Sequence, residues 1–132
     1  MLNKIIIYFL LLLSFPLVGK CDWTKLFKGN GIEFFFDFDS LKYNNNHRVV
    51  LMMINYKDVT SQGDLSQIVK RKINCNEMMY KDLETNFFKL NFGKGEKSRG
   101  SGQVENPKWK YFPPGSSGGE IIKVICRIKQ SK

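Results

Sequence analysis

Cysteines are the residues of this sequence with the most definite chemistry, and there are three of them: Cys21, Cys75 and Cys126. Their spacing matches no CxxC, CxxCH or zinc-finger pattern, so the sequence predicts no metal, no haem and no other cofactor. Cysteines pair in an oxidising compartment, but three of them cannot all pair within one chain. We therefore expect one disulfide bond and one cysteine left over.

A catalytic group is difficult to assemble from the other reactive residues. His47 is the only histidine, and no nucleophile or acid stands close to it in sequence. Asp37 and Asp39 have the spacing of paired carboxylates, but such residues at the end of a strand more often accept hydrogen bonds from backbone amides. A hydrolase usually needs a base, a nucleophile and an orienting group. We predict a protein that is not an enzyme, and a small secreted hydrolase using His47 and Asp37 is the alternative.

Positive charge is the property that most favours binding. The chain has 21 Lys and Arg against 12 Asp and Glu, a net charge of +9. The candidate binding residues are Lys94, Lys97, Arg99, Lys108, Trp109 and Lys110. Basic residues interleaved with aromatic ones suit an acidic protein, a glycan or a nucleic acid. The alternative is that the lysines are ordinary solvated residues and that Trp109 and Tyr111 pack beneath a helix.

The first twenty residues differ from the rest of the chain. A basic start (MLNK), an apolar stretch (IIIYFLLLLSF) and a small-residue exit (PLVGK) are typical of a secretory signal peptide. Ile5 to Val18 is only 14 residues and contains Pro16, whereas a membrane-spanning helix needs roughly 20. We expect a signal peptide at 1–20 and a domain at 21–132 with no transmembrane span, exported to the periplasm, the cell surface or the outer membrane. Export argues against nucleic acid as the partner.

Cys21 is the first residue of the predicted exported domain. A lipoprotein signal would need a small residue directly before the cysteine, and here Lys20 separates Gly19 from it. Lipidation of Cys21 would thus use an atypical signal. Three states of Cys21 stay open: a lipid acceptor, a bridge between two chains, or a free thiol.

Alternating apolar residues predict a sheet of five or six antiparallel strands joined by turns, in the segments 30–43, 47–58, 66–83 and 86–92. The first segment is expected to be a strand followed by a second short one, and 66–83 is expected to be one long strand or a hairpin. The segment 47–58 is apolar on both faces, which predicts a central strand covered on both sides. One cover is expected to be a helix. The other is expected to be sheet curvature, a loop or a second protomer, so a homodimer is possible.

The segment after Pro113-Pro114-Gly115 predicts a short C-terminal helix. Ser117 and Glu120 have the spacing of a capping box, and the apolar residues Ile121, Ile122, Ile125 and Ile128 follow with helical spacing. A helix of about three turns is marginal alone, so it must dock on the sheet. Cys126 lies at the edge of the apolar stripe, where it would meet the sheet, and Cys75 is its expected partner. The predicted fold is α+β, with the helix tied to the sheet by a Cys75–Cys126 disulfide.

Several short patterns in a fixed order run through nearly all of the predicted exported region. They are Trp23 soon after the signal, FFFDF followed by SLKY, an R-V to Y-K strand from Arg48 to Lys57, a stretch ending at Cys75, the turn NFGKGE, and W-x-x-x-P-P-G-S followed by a helix ending in V-x-C. In this order and spacing the chain resembles the bacterial surface-adhesin protein E family.

The resemblance implies an antiparallel sheet with a disulfide-bonded C-terminal helix, and export in a bacterium of the Gram-negative type. It also implies an adhesin-like function, but its binding residues form no motif that can be transferred by position. The expected function is that of a non-catalytic envelope or surface protein that binds a macromolecular partner, an acidic protein or a glycan, through a basic surface. A structural periplasmic subunit and the small hydrolase are the alternatives.

Overall fold

The computed structural model describes residues 22–130, so the predicted signal peptide and Cys21 lie outside the described residues. Within that range, seven β-strands (β1 to β7) precede one α-helix (α1). In chain order the strands are Trp23–Gly29, Ile32–Asp37, Lys42–Asn44, His47–Tyr56, Ser66–Asn74, Met79–Phe88 and Gly102–Gln103, and the helix is Ser117–Arg127.

All of these strands pair antiparallel in a single sheet of the order β1-β2-β4-β5-β6-β7, and the short β3 pairs with β4. The predicted α+β class is confirmed. The sheet has seven strands rather than five or six because it includes β1 and the two-residue β7, which lie outside the segments that alternation predicted.

Strand β4 lies in the interior of the sheet between β2 and β5, as its two apolar faces predicted. Val50 and Met52 are buried on the face toward α1, and Met53 is buried on the other face. Period-two alternation places successive side chains on opposite sides, so a strand with no polar side must be covered twice.

The core between α1 and the sheet is built from residues on four elements. Phe36, Val50, Met52 and Ile73 contribute from the strands, and Ile121, Ile122 and Ile125 contribute from the helix. The spacing of these isoleucines places them on one side of the helix. Burial of this apolar stripe is what holds a helix of only 11 residues in place.

A loop covers the second face of β4 at one end. The turn Asn91–Gly93 folds back over it, and the Phe92 ring lies 5.6 Å from the Phe35 ring. The Phe92 amide donates to Asn55 Oδ1 at 2.8 Å, which fixes the turn on the strand. The loop is one of the three covers expected from the sequence, and Met53 is buried within a single chain.

Residues 86–92 do not form the separate strand that alternation predicted. Residues 75–78 form a turn, and β6 then runs as one strand to Phe88. Phe88 is buried, whereas Leu90 and Phe92 are half exposed, so these three residues do not share one face. The chain leaves the strand direction because Phe92 adopts a φ of 60°.

The predicted helix cap is wrong by one residue. Ser116, and not Ser117, is the N-cap, and its Oγ accepts a hydrogen bond from the Gly119 amide at 3.2 Å. Glu120 pairs with Lys123 at 2.8 Å. Ser116 has extended backbone angles, and its amide donates to the Pro113 carbonyl in the preceding turn. An N-cap residue is not helical itself, so the first helical residue is Ser117.

The predicted Cys75–Cys126 disulfide is confirmed. Cys75 directly follows β5, and Cys126 lies in the last turn of α1, with their Cα atoms 5.7 Å apart. The two residues are 51 positions apart, and closing a loop of that size stabilises the folded state by about 4 kcal/mol in the chain-entropy account.

Candidate binding surface

The sheet face directed away from α1 carries a row of lysines. Lys42 on β3 lies opposite Val49 on β4, Val49 lies opposite Lys72 on β5, and Lys72 lies opposite Lys81 on β6. Residues directly opposite in antiparallel pairs point to the same side of the sheet. Neighbouring strands are about 4.8 Å apart, so Lys42, Lys72 and Lys81 form one line across four strands. We call these three residues the lysine row.

The lysine row makes no ion pair within the described residues, although the acidic residue Glu84 lies on the same face. Lys70, two positions before Lys72 on that face, makes no ion pair there either. Lys70 lies opposite Leu51 on one side and Glu84 on the other. Like charges directly opposite one another destabilise a sheet, and Lys72 and Lys81 form such a pair. Folding alone does not favour this arrangement.

Trp109 adds an aromatic ring at the edge of this surface. The backbone bridge between Lys110 and Tyr80, with N···O distances of 2.8 and 3.0 Å, places the preceding Trp109 on the opposite side of the strand. There Lys81 Nζ lies 4.7 Å from the Trp109 ring centroid, and the His47 ring lies 5.7 Å away. Trp109 therefore does not pack beneath the helix.

We refer to the surface made by these residues as the basic face: Lys42, Lys70, Lys72, Lys81 and Trp109. An array of cations beside a half-exposed ring can bind carboxylate or sulfate groups and can stack on a planar or sugar ring. Val49 and Leu51 lie between the lysines and are half buried.

The six binding residues predicted from the sequence fall into two groups at opposite ends of β6. Lys97 bridges Phe88, near the end of the strand, whereas Lys110 bridges Tyr80, near its start. Eight residues of strand correspond to about 26 Å. The loop group (Lys94, Lys97 and Arg99) is therefore remote from the group at 108–110.

Sequence reasoning missed four members of the basic face: Lys42, Lys70, Lys72 and Lys81. The alternation of Lys70 and Lys72 within β5 was a visible signal that both lie on one side of a strand. Their approach to Lys42 and Lys81 depends on strand pairing, which a local pattern does not give. Of the predicted residues, Trp109 is the one that lies against the lysine row.

The loop group has a mixed electrostatic environment. Lys97 and Arg99 line a depression of about 490 Å³ together with Lys89 and Glu96. Lys89 Nζ is 3.4 Å from the buried Asp64 carboxylate. Acidic groups thus lie among these cations and reduce the positive potential at that end of the sheet.

His47 and Asp37 are too far apart to act together. Phe36 on β2 pairs with Met52 on β4. The next residue, Asp37, is therefore level with Leu51, which is four residues from His47 along β4. That separation is about 14 Å. Asp37 is buried and accepts the Asp39 amide at 3.0 Å, which is a capping role. The hydrolase hypothesis loses the pair on which it depended.

Among residues 22–130, shifted pKa values occur at the carboxylates of Glu33 and Glu120 and at Tyr56. The hydrogen bond from Lys25 lowers the pKa of Glu33, and the hydrogen bond from Lys123 lowers that of Glu120. Burial, followed by the charge of Asp64, raises the pKa of Tyr56. Each shift has a local structural cause. Within residues 22–130, no group of three or more His, Cys, Asp or Glu is placed to hold a metal ion.

The architecture is that of a single-sheet α+β domain closed by a helix and a disulfide bond. The chain belongs to the surface-adhesin protein E family, whose family model matches residues 23–127. No curated protein matches the sequence. None of the helices in the described part of the chain is long and apolar enough to cross a membrane.

Solved structures of Haemophilus influenzae protein E share the fold. The crystal structure of protein E from the non-typeable bacterium is 15% identical, covering 86% of this chain and 81% of that chain, with a TM-score of 0.59. Crystal form II is 14% identical, covering 86% of this chain and 96% of that chain, with a TM-score of 0.60. At this identity the likeness shows the fold alone.

Proposed function

We propose that this chain is an exported, non-catalytic surface protein that binds an acidic macromolecular partner through the basic face. The observation that carries the proposal is the lysine row, in which Lys72 and Lys81 lie directly opposite one another on a partly exposed sheet face and neither makes an ion pair with another described residue. Membership of a surface-adhesin family supports a surface location and an adhesive role.

The dimensions of the basic face suit an extended acidic partner. The lysine row spans three strand spacings, which is about 14 Å, and Trp109 lies at its Lys81 end. An acidic glycan or the acidic surface of a protein would present several anionic groups over that distance. Binding of this kind weakens as salt screens exposed charges. The loop group (Lys94, Lys97 and Arg99) is the second basic region and the natural comparison.

Attachment of the exported protein remains a prediction. Cys21 is the candidate for a lipid or for a bridge between two chains, and it lies outside the described residues. A homodimer formed through β4 has little support, because Val50, Met52 and Met53 are already buried within one chain.

Charge reversal at two matched pairs of residues tests the proposal. Lys72 and Lys81 are both changed to Glu, because reversing only one would create an ion pair with the other. The matched control changes Lys94 and Arg99 to Glu, which alters the net charge equally but in the loop group. Binding to immobilised polyglutamate and to heparin, as acidic polypeptide and sulfated glycan probes, is measured over a range of salt concentrations.

The expected result is a loss of about tenfold or more in affinity for K72E/K81E, with about threefold or less for K94E/R99E. Circular dichroism verifies that both variants are folded. Equal losses would mean that net charge alone drives binding, and a larger loss for K94E/R99E would move the site to the loop group. Failure of the parent protein to bind either probe would also overturn the proposal.

A further inference from the structure

A third basic region lies on the helix side of the sheet, away from the basic face and from the loop group. A cleft of about 640 Å³ separates the β3–β4 turn from the C-terminal end of α1. Three cationic residues line it, namely Arg48, Arg127 and Lys129, and its described lining includes no carboxylate. A concave site with cations and no acid attracts anions.

The Arg48 guanidinium is held in place before any ligand arrives. Its Nη1 donates hydrogen bonds of 3.0 Å to the carbonyls of Asn45 and of His47. The same group lies over the Tyr43 ring, 4.5 Å from the ring centroid. A donor fixed in this way loses little conformational entropy when it binds.

One edge of the Arg48 guanidinium has no acceptor among the described residues. Its Nε is buried and makes no hydrogen bond, and Nη2 makes none either. Arg71 shows what that edge does when it is satisfied, because its Nε and Nη2 bind the two Asp82 oxygens at 2.6 and 3.1 Å. A buried donor without an acceptor is uncommon and costs stability, so the Arg48 edge needs an explanation.

The helix end explains only part of the charge in the cleft. Arg127 is in the last turn of α1 and Lys129 follows it, where cations complement the partial negative charge of the terminal carbonyls. Arg48 is on β4, so this reasoning does not account for it. Three full positive charges also outweigh a helix terminus of roughly half a negative charge.

We propose that this cleft is a binding site for a phosphate-type oxyanion. The Nε and Nη2 edge of Arg48 donates two hydrogen bonds to the anion, as the same edge of Arg71 does to a carboxylate, and Arg127 and Lys129 add charge. Because Nε is buried, the side chains around it must shift when the anion enters. The volume accommodates a phosphate together with its substituent, such as a sugar or a lipid headgroup. This site does not depend on the basic face.

An NMR titration of the full-length exported protein with inorganic phosphate tests the proposal directly. The expected result is a saturable shift of the Arg48 Nε–H resonance. Arg48→Lys retains the charge but removes the two-donor edge, and it should weaken binding about tenfold. Arg99→Gln removes one positive charge at the opposite end of the sheet and should leave binding within about twofold.

A second variant, with changes away from the sheet, tests the same site in case Arg48→Lys does not fold. Arg127→Gln combined with Lys129→Gln leaves β4 intact and should also weaken phosphate binding several-fold. Glucose 6-phosphate and vesicles containing phosphatidylglycerol distinguish a soluble ligand from a lipid headgroup, and saturable binding of either at Arg48 supports the site. Absence of a saturable shift with all three probes, or an equal loss in Arg99→Gln, would refute it. Charge reversal at Lys72 and Lys81 should not affect this binding, so the two proposals can fail separately.

Discussion

Arg71 occupies an unfavourable position for a charge, because it is buried. Its side chain is 8% exposed on the helix side of the sheet. Its guanidinium lies 4.4 Å from the Tyr80 ring centroid and 5.3 Å from that of Phe112. The bidentate bond to Asp82 supplies the compensating negative charge. A buried ion of this kind is tolerated only while its partner is present.

Removal of Asp82 should therefore be costly. We expect Asp82→Ala to lower the free energy of unfolding by about 3 kcal/mol, because Arg71 keeps its charge in an apolar site. The double variant Arg71→Met with Asp82→Leu should recover most of that loss, since neither charge remains. Chemical denaturation of both variants measures the difference.

An exposed ion pair serves as the control for this prediction. Lys123 and Glu120 are 2.8 Å apart, but both side chains are at least half exposed. Lys123→Ala should leave stability unchanged within error, because solvent screens such pairs. If Asp82→Ala had no larger effect than Lys123→Ala, burial of the Arg71 charge would not be important to the fold.

The start of α1 shows how one element is fitted to the sheet. Two glycines, Gly118 and Gly119, occupy its first turn, although glycine is unfavourable in helices. A Cβ on Gly118 would lie 2.7 Å from Cζ of Phe112, whose ring stacks on Tyr80 at 4.1 Å. A Cβ on Gly119 would meet only the Ser116 Oγ, at 3.4 Å, and atoms farther away. Close packing explains the first glycine but not the second.

Alanine at these two neighbouring positions should therefore have opposite effects. Gly118→Ala is expected to destabilise the protein by about 1–3 kcal/mol, because the methyl group forces Phe112 out of its stack. Gly119→Ala is expected to stabilise it by about 0.5 kcal/mol through helix propensity alone. Thermal unfolding monitored by circular dichroism compares the two. Equal melting temperatures would show that Phe112 moves aside at no cost.

The elements that could be predicted are those with a strong period. The apolar spacing of Ile121, Ile122 and Ile125 located the helix, and the two apolar faces of β4 located the centre of the sheet. The cap was missed by one residue because two serines stand side by side and local sequence does not distinguish them. Strand β1 was not predicted, since its sequence WTKLFKG gives no clear alternation of apolar and polar residues.

A hairpin in 66–83 was one of two expectations, but the position of the turn between β5 and β6 could not be predicted, for a different reason. Met78 adopts a φ of 52°, a left-handed conformation that favours glycine or asparagine, so its residue type gave no turn signal. Because the position of the turn was not known, the hairpin could not be divided into two strands with a defined register. The pairing of Lys72 with Lys81 could therefore not be predicted. The basic face is thus a product of register, which depends on contacts distant in sequence.

At the scale of the whole molecule, the sheet and the helix α1 form two packed layers. The isoleucine stripe of α1 buries apolar surface on the sheet, and the Cys75–Cys126 bond fixes the far end of the same helix. Domains of this size bury a limited fraction of their surface, so a covalent link adds a substantial share of the stability. The cleft beside Arg48 is also bounded by this helix end, so it depends on the same link.

Removal of the disulfide should lower stability without changing the fold. We expect the double variant Cys75→Ala with Cys126→Ala to lose about 4 kcal/mol in the free energy of unfolding, because its unfolded chain regains the freedom of the 51-residue loop. Guanidinium denaturation with and without reductant measures this loss. Reductant should bring the parent protein to the level of the double variant and leave the variant unaffected, whereas Cys21→Ala should behave like the parent. If reductant left the parent unaffected, apolar packing of the three isoleucines would be sufficient to hold α1 on the sheet, and the bond would contribute little to the energy of the native state.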